Sequence, residues 1–108
     1  DEISFIPYLS GCFMLLRVSS IKQIGMFDER FFLYPEDIDL SRRICLSYDN
    51  IFFPYSEVFH KHEAASKKNI KMFLIHSFNM ILYFNKWGWF IDKEREIINN
   101  KARSLLIK

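Results

Sequence analysis

The stretch Pro35-Glu36-Asp37-Ile38-Asp39 constrains this chain more than any other, because it sets three carboxylates within one turn of a proline. Proline's fixed φ suits the first helical position, and the free N–H groups and macrodipole of a helix start favour acidic side chains there. A helix is therefore expected over residues 36 to 48, after the aromatic and aliphatic run at 31 to 34. Leu40, Ile44 and Tyr48 recur four apart as one buried stripe, and Asp39 sits four before Arg43 for a surface ion pair. At a positive helix end Asp37 stays ionised near neutral pH, able to accept a hydrogen bond or a proton. Helix capping is the ordinary use of such a cluster, so the cluster alone names no chemistry.

With 108 residues, half of them hydrophobic and 18% aromatic, there is apolar material for one modest core and no room for a second domain. A net charge of +2, with basic residues dispersed among acidic ones apart from Lys67, Lys68 and Lys71, gives no reason to expect nucleic acid as a partner. Cys12 and Cys45 lack any C-x-x-C spacing and read as reduced core thiols of a cytosolic protein. No basic region followed by an apolar run and a cleavage site opens the chain, which reads as beginning inside a domain.

In chain order, residues 8 to 17 form a strand candidate in which Gly11 allows close backbone approach; Ser10 and Gly11 either line a pocket or serve packing. Ser19 or Ser20 caps a short helix through Ile24, with Ile21 and Ile24 on its inner face and Gly25 as terminator. Asp28 suits a turn, accepting backbone N–H bonds or steadying Arg30. Residues 51 to 54 form a short strand that Pro54 ends, and 57 to 62 another, whose alternation puts Val58, His60 and His62 on one side. Two histidines alone do not make a metal centre, which needs three or more ligands.

Residues 70 to 84 form one long apolar helix, with Met72, His76, Asn79, Tyr83 and Lys86 as a mildly polar face. It is too short and interrupted to span a bilayer. Two environments suit it: burial against other protein, or a membrane surface held through residues 67 to 91 by Lys67, Lys68, Lys71, Lys86, Trp87, Trp89 and Phe90. Gly88 breaks the chain before a charged helix over 92 to 107, striped by Ile91, Ile98, Ala102 and Leu105.

Several co-ordered motifs now add up: Gly11-Cys12-Phe13-Met14-Leu15-Leu16-Arg17, Gly25-Met26-Phe27-Asp28-Glu29-Arg30-Phe31-Phe32, Glu36-Asp37-Ile38-Asp39-Leu40 with Arg43, and Val58-Phe59-His60. Over about residues 8 to 66 they resemble the C-terminal half of family 2 glycosyltransferases, most closely the rhamnosyltransferase-like branch. The resemblance implies an α/β chain, the C-terminal part of a GT-A (nucleotide-diphospho-sugar transferase) fold, with short strands followed by two C-terminal helices. Residues 1–66 would be the acceptor-side, catalytic-base half and 67–108 a helical extension. The donor-binding half would lie in about 100 to 150 preceding residues with a βαβ pattern.

The activity so implied is inverting transfer of a sugar, rhamnose by the branch, from a nucleotide-sugar donor to a glycan or lipid-linked acceptor. Asp37 would be the general base, Glu36 would orient acceptor or base, Ser10, Gly11 and Arg43 would serve substrate binding, and Arg43 would also hold a nearby carboxylate. Mg²⁺ or Mn²⁺ would be bound mainly by the other half, with His60 (less so His62) contributing here. Asp37-Ile38-Asp39 spells D-x-D, but at about 100° per helical residue its carboxylates point nearly opposite ways and cannot easily hold one ion. Implied location is the cytoplasm, with peripheral contact at the inner face of the membrane. A different class stays open: a non-catalytic fragment whose apolar helix binds a partner or a membrane surface. A small metal-binding protein built on His60 and His62 has too few ligands.

Overall fold

A computed structural model describes residues 2–61 and 69–106. Its elements, in order, are β1 (Ser4–Phe5), α1 (Val18–Ile24), α2 (Glu36–Cys45), β2 (Ile51–Phe52), α3 (Ile70–Trp87) and α4 (Lys93–Leu106). The result is mixed helix with a small two-stranded sheet, compatible with a fragment of an α/β domain. Asp39 N donates to Pro35 O as α2 begins, so Pro35 stands just before the first helical residue instead of within it.

The stripe expected on α2 forms the core: Leu40 is fully buried and packs with Ile21 and Ile44, flanked by Met14, Leu16, Ile24 and Tyr48. Complete burial of side chains of this size contributes about 1.5–3 kcal/mol each, which fixes α1 against α2. Gly25 ends α1 with φ of 88°, a backbone that side-chain-bearing residues rarely adopt, and its N–H reaches Ile21 O. No side chain caps the start of α1, so the Ser19 or Ser20 cap does not form; the position before the helix is Arg17.

The sheet is β1 paired antiparallel with β2, Ser4 opposite Phe52 and Phe5 opposite Ile51. Residues 8 to 17 are not a strand. Leu9 N donates to Ser41 Oγ and Gly11 N to the Asp37 carboxylate, so side chains of α2 take the donors that a ladder would have used. The chain turns at Gly11 and Cys12, which leaves Cys12 exposed instead of in a core. Cys45 is half-buried, its thiol pushed up in pKa by burial, between Pro7 O and Asn50 Nδ2. Residues 57 to 61 are irregular and exposed, with no strand partner among the described residues. His62, Lys67, Lys68 and the expected division between 66 and 67 lie outside the described residues.

Helix α3 has its polarity reversed. Asn79 and Tyr83 are buried, Asn79 Nδ2 donating to Phe32 O and Tyr83 OH accepting from Arg42, while Ile70, Phe73, Leu74, Phe78 and Ile81 stand exposed. The aromatic lead into α2 explains this. Phe31 packs its ring near Tyr83, and Tyr34 sits 4.6 Å from the His76 ring, so the polar face of α3 is the one that docks. Gly88 ends the helix as expected, and in α4 only Ile98 of the expected stripe is buried; Ile91 and Leu105 are exposed. No helix among the described residues is long and apolar enough to cross a membrane.

Candidate active site

Asp37 is the second residue of α2, where backbone N–H groups have no helical acceptor and the residue before the helix, Pro35, offers no side-chain cap. Its carboxylate meets the loop before α1. Tyr8 OH and Gly11 N each donate to Oδ2 at 2.8 Å, and Ile38 N donates to Oδ1 at 2.8 Å. A Cβ on residue 11 would stand 3.3 Å from Asp37 Cβ, a crowded contact that Asp37 would have to yield to by a few tenths of an ångström, so glycine eases the approach of the loop amide. Ser10 lies beside it, exposed, its Oγ accepting from Cys12 N at 3.4 Å. Burial and then the bond to Asp37 push the Tyr8 hydroxyl up to about 12, so it stays a proton donor across the working pH range.

Glu36, next on the helix, has its pKa raised by burial and by the charge of Asp37. Its Oε2 is buried without a partner among the described residues. When protonated, such a carboxyl can donate as well as accept.

Asp39 faces the other way and is 0% exposed. Arg43 Nε reaches it at 2.9 Å, Lys86 Nζ at 2.6 Å and Trp87 Nε1 at 2.9 Å. The ion pair expected with Arg43 exists, but it is buried, not on the surface. Arg43 also donates to the carbonyls of Ile24, Gly25 and Met26, so its guanidinium ties α2 to the end of α1. Lys86 continues to Asp28 at 2.8 Å, and Asp28 holds Arg30 through both oxygens and its backbone N–H. Those cations hold the Asp28 carboxyl well below the usual carboxylate range.

One residue further along α2, Arg42 makes a two-pronged bond to Asp92 at 2.5 and 2.6 Å, donates to Tyr83 OH at 2.9 Å and lies 4.1 Å from the Trp87 ring. Asp92 is held low by Arg42 and caps Arg95 N. These contacts fasten α3 and α4 to α2. They also turn Lys86 and Trp87, both expected at a membrane surface, inward; Trp89, Phe90 and Ile91 stay exposed.

His60 is exposed, and no hydrogen bond joins it to the Asp37 cluster among the described residues. Nor do three or more His, Cys, Asp or Glu there gather into a set that could hold a metal ion. One cavity of about 600 Å³ lies between the loop at Leu9–Arg17, α1 and β2, apart from Asp37; a smaller one of about 200 Å³ lies behind Tyr8, lined by Ile38, Arg42, Tyr83 and Ile98. Sequence reasoning missed Tyr8, Arg42 and the inward roles of Lys86 and Trp87. Only the placement of Lys86 and Tyr83 on one polar face of α3 hinted at them.

The cluster joins a first-turn carboxylate, a loop amide and a phenol, the equipment for accepting a proton from a hydroxyl. Comparison with known proteins supports a glycosyltransferase-like relationship. The chain is 42% identical over 62 residues to N-acetylglucosaminyl-diphospho-decaprenol L-rhamnosyltransferase of Mycobacterium tuberculosis, a match that covers 56% of this chain and 20% of the relative. It is 34% identical over 68 residues to Rhamnosyltransferase WbbL of Escherichia coli, covering 63% of this chain and 25% of the relative. The chain thus spans a fifth to a quarter of the length of the curated relatives it matches. No family model and no solved structure matches it.

Proposed function

We propose that this chain is the acceptor-side part of an inverting, family 2 glycosyltransferase of GT-A fold, with Asp37 as general base. The observation that carries the reading is the Asp37 carboxylate, set at a helix start and gripped by Tyr8 and Gly11, within a stretch similar to rhamnosyltransferases. In the reaction, Asp37 takes the proton of the acceptor hydroxyl as its oxygen attacks the anomeric carbon, opposite the departing nucleoside diphosphate. Glu36, whose Oε2 has no partner among the described residues, orients the acceptor, and Ser10 and Gly11 line its approach. Arg43 serves by holding Asp39 and the end of α1, which keeps α2 in place.

The donor is a nucleotide sugar, rhamnose by likeness to the relatives, and the acceptor a glycan or lipid-linked saccharide; the name of the mycobacterial relative carries a diphospho-decaprenol acceptor. Action in the cytoplasm belongs to the same reading. A divalent ion, Mg²⁺ or Mn²⁺, enters it as one held mainly by the donor half, with His60 as this chain's contribution. The described residues do not themselves assemble a ligand set, and no step is derived through the ion.

A second reading is favoured by the exposed stripe of Ile70, Phe73, Leu74, Phe78 and Ile81: a non-catalytic module that binds a partner or membrane surface. Transfer assays on the full-length protein, with a panel of nucleotide sugars and Mg²⁺ or Mn²⁺, separate the two. Under the catalytic reading, wild type turns over a donor, and Asp37→Asn binds it equally well but loses transfer by about 10²-fold or more. Full activity in Asp37→Asn defeats the base assignment, and no turnover of any donor by wild type favours the module.

A further inference from the structure

We infer that Tyr8 is a positioning residue that selects which oxygen of Asp37 receives the acceptor's proton. The inference rests on the general-base reading above. A carboxylate oxygen offers two lone pairs in its plane, and both on Oδ2 are taken, one by Tyr8 OH and one by Gly11 N, each at 2.8 Å. Among the described residues Oδ1 accepts from Ile38 N alone, which leaves one lone pair open there. A proton arriving from a sugar hydroxyl therefore goes to Oδ1. The two donors on Oδ2 stop the carboxylate from rotating and stabilise its charge before the reaction.

Tyr8 is suited to this task. It stands 29 residues from Asp37 in the chain, in the loop before α1, so loop and helix start are locked to each other through this bond and that of Gly11. Its phenol, protonated at neutral pH like any tyrosine, is raised further by burial and by the neighbouring carboxylate. The other titratable groups facing this pair are Glu36, beside Asp37 on α2, and Cys12, beside Tyr8 in the loop.

The consequence is kinetic and has a sign. Each hydrogen bond to the ionised carboxylate favours that form, so removing one makes the base harder to ionise. In the full-length transferase, Tyr8→Phe is expected to keep donor KM within about twofold and to lower kcat about tenfold. The acid limb of log kcat/KM moves up by about half to one pH unit. A merely structural tyrosine would not move that limb. Replacing Tyr8 by 3,5-difluorotyrosine, nearly the same in shape and a stronger donor, moves the limb to lower pH, and this arm holds even where Tyr8→Phe folds poorly. Asp37→Asn, assayed alongside, separates the two failures. If Asp37→Asn abolishes transfer while both Tyr8 variants leave the acid limb at its wild-type position, the Tyr8 inference is overturned and the base reading stands. Retained transfer in Asp37→Asn overturns the base reading and the inference with it.

Discussion

Asp37 and Asp39 stand two residues apart on α2, yet their carboxylates meet opposite surroundings. Asp39 is fully buried and surrounded by Arg43, Lys86 and the Trp87 N–H, all donors from packed elements. Asp37 is partly open and meets neutral donors, two from a loop and one from its own helix, with one lone pair left open among the described residues. A buried carboxylate whose oxygens are engaged by two cations and an indole N–H is framework. A carboxylate held by neutral donors beside solvent keeps the freedom to take a proton. The same side chain serves structure on one face of a helix and chemistry on the other, and the neighbours that pack there decide which.

The framework side should respond most strongly to substitution. Arg42→Ala strands the buried Asp92 carboxylate and removes the stack on Trp87, and is expected to cost about 3–5 kcal/mol in chemical denaturation. A loss under about 1 kcal/mol would show that this pair does not fasten the C-terminal helices.

The two aspartates give the direct contrast. Asp39→Asn should cost about 2–3 kcal/mol of stability, since it weakens charged hydrogen bonds to Arg43 and Lys86 in a buried site. Asp37→Asn should cost less than about 1 kcal/mol, because its partners are exposed and an amide oxygen still accepts from them. Equal losses, or the reverse order, would break the comparison.

Acid should act mainly through the framework. Asp28 is held low by Arg30 and Lys86, and Asp92 by Arg42. Their folded pKa values lie below the unfolded ones, so the unfolded chain binds more protons as pH falls. The stability these groups contribute is present above about pH 4 and is lost below it. Unfolding free energies from urea titrations at pH 5 and pH 3 should differ by about 1–2 kcal/mol, with the midpoint lower at pH 3 and the Asp28 share reduced by solvent around its exposed partner Arg30. An unchanged midpoint would remove Asp28 and Asp92 from the list of groups that hold the fold together.

Much of the helical structure was legible in the chain. The acidic start after Pro35, the four-residue stripe of Leu40, Ile44 and Tyr48, and the breaks at Gly25 and Gly88 are local signals, and α1 to α4 lie close to where these place them. The strand expected over residues 8 to 17 failed for a non-local reason. Alternation and a glycine resemble a strand, but whether backbone donors find a ladder or the side chains of Asp37 and Ser41 depends on residues 26 and 32 positions away. The polarity of α3 was likewise legible and its orientation was not. An apolar stripe turns inward only when nothing better docks on the polar face, and here Arg42, Phe31 and Tyr34 engage Tyr83 and His76 there.

By itself the sequence determined where helices start and stop, that Asp37 and Asp39 point apart, and that the stretch around them resembles sugar-transferring enzymes. The tertiary structure alone decided that Asp39 joins a buried charge network, and that Tyr8 and Gly11 hold one oxygen of Asp37 while, among the described residues, the other meets a single donor, Ile38 N. Helix limits follow from propensities and hydrogen bonds within a few residues, whereas the role of a carboxylate follows from its neighbours in space. In this chain the Tyr8, Trp87 and Asp92 partners of α2 come from 29 to 50 residues away.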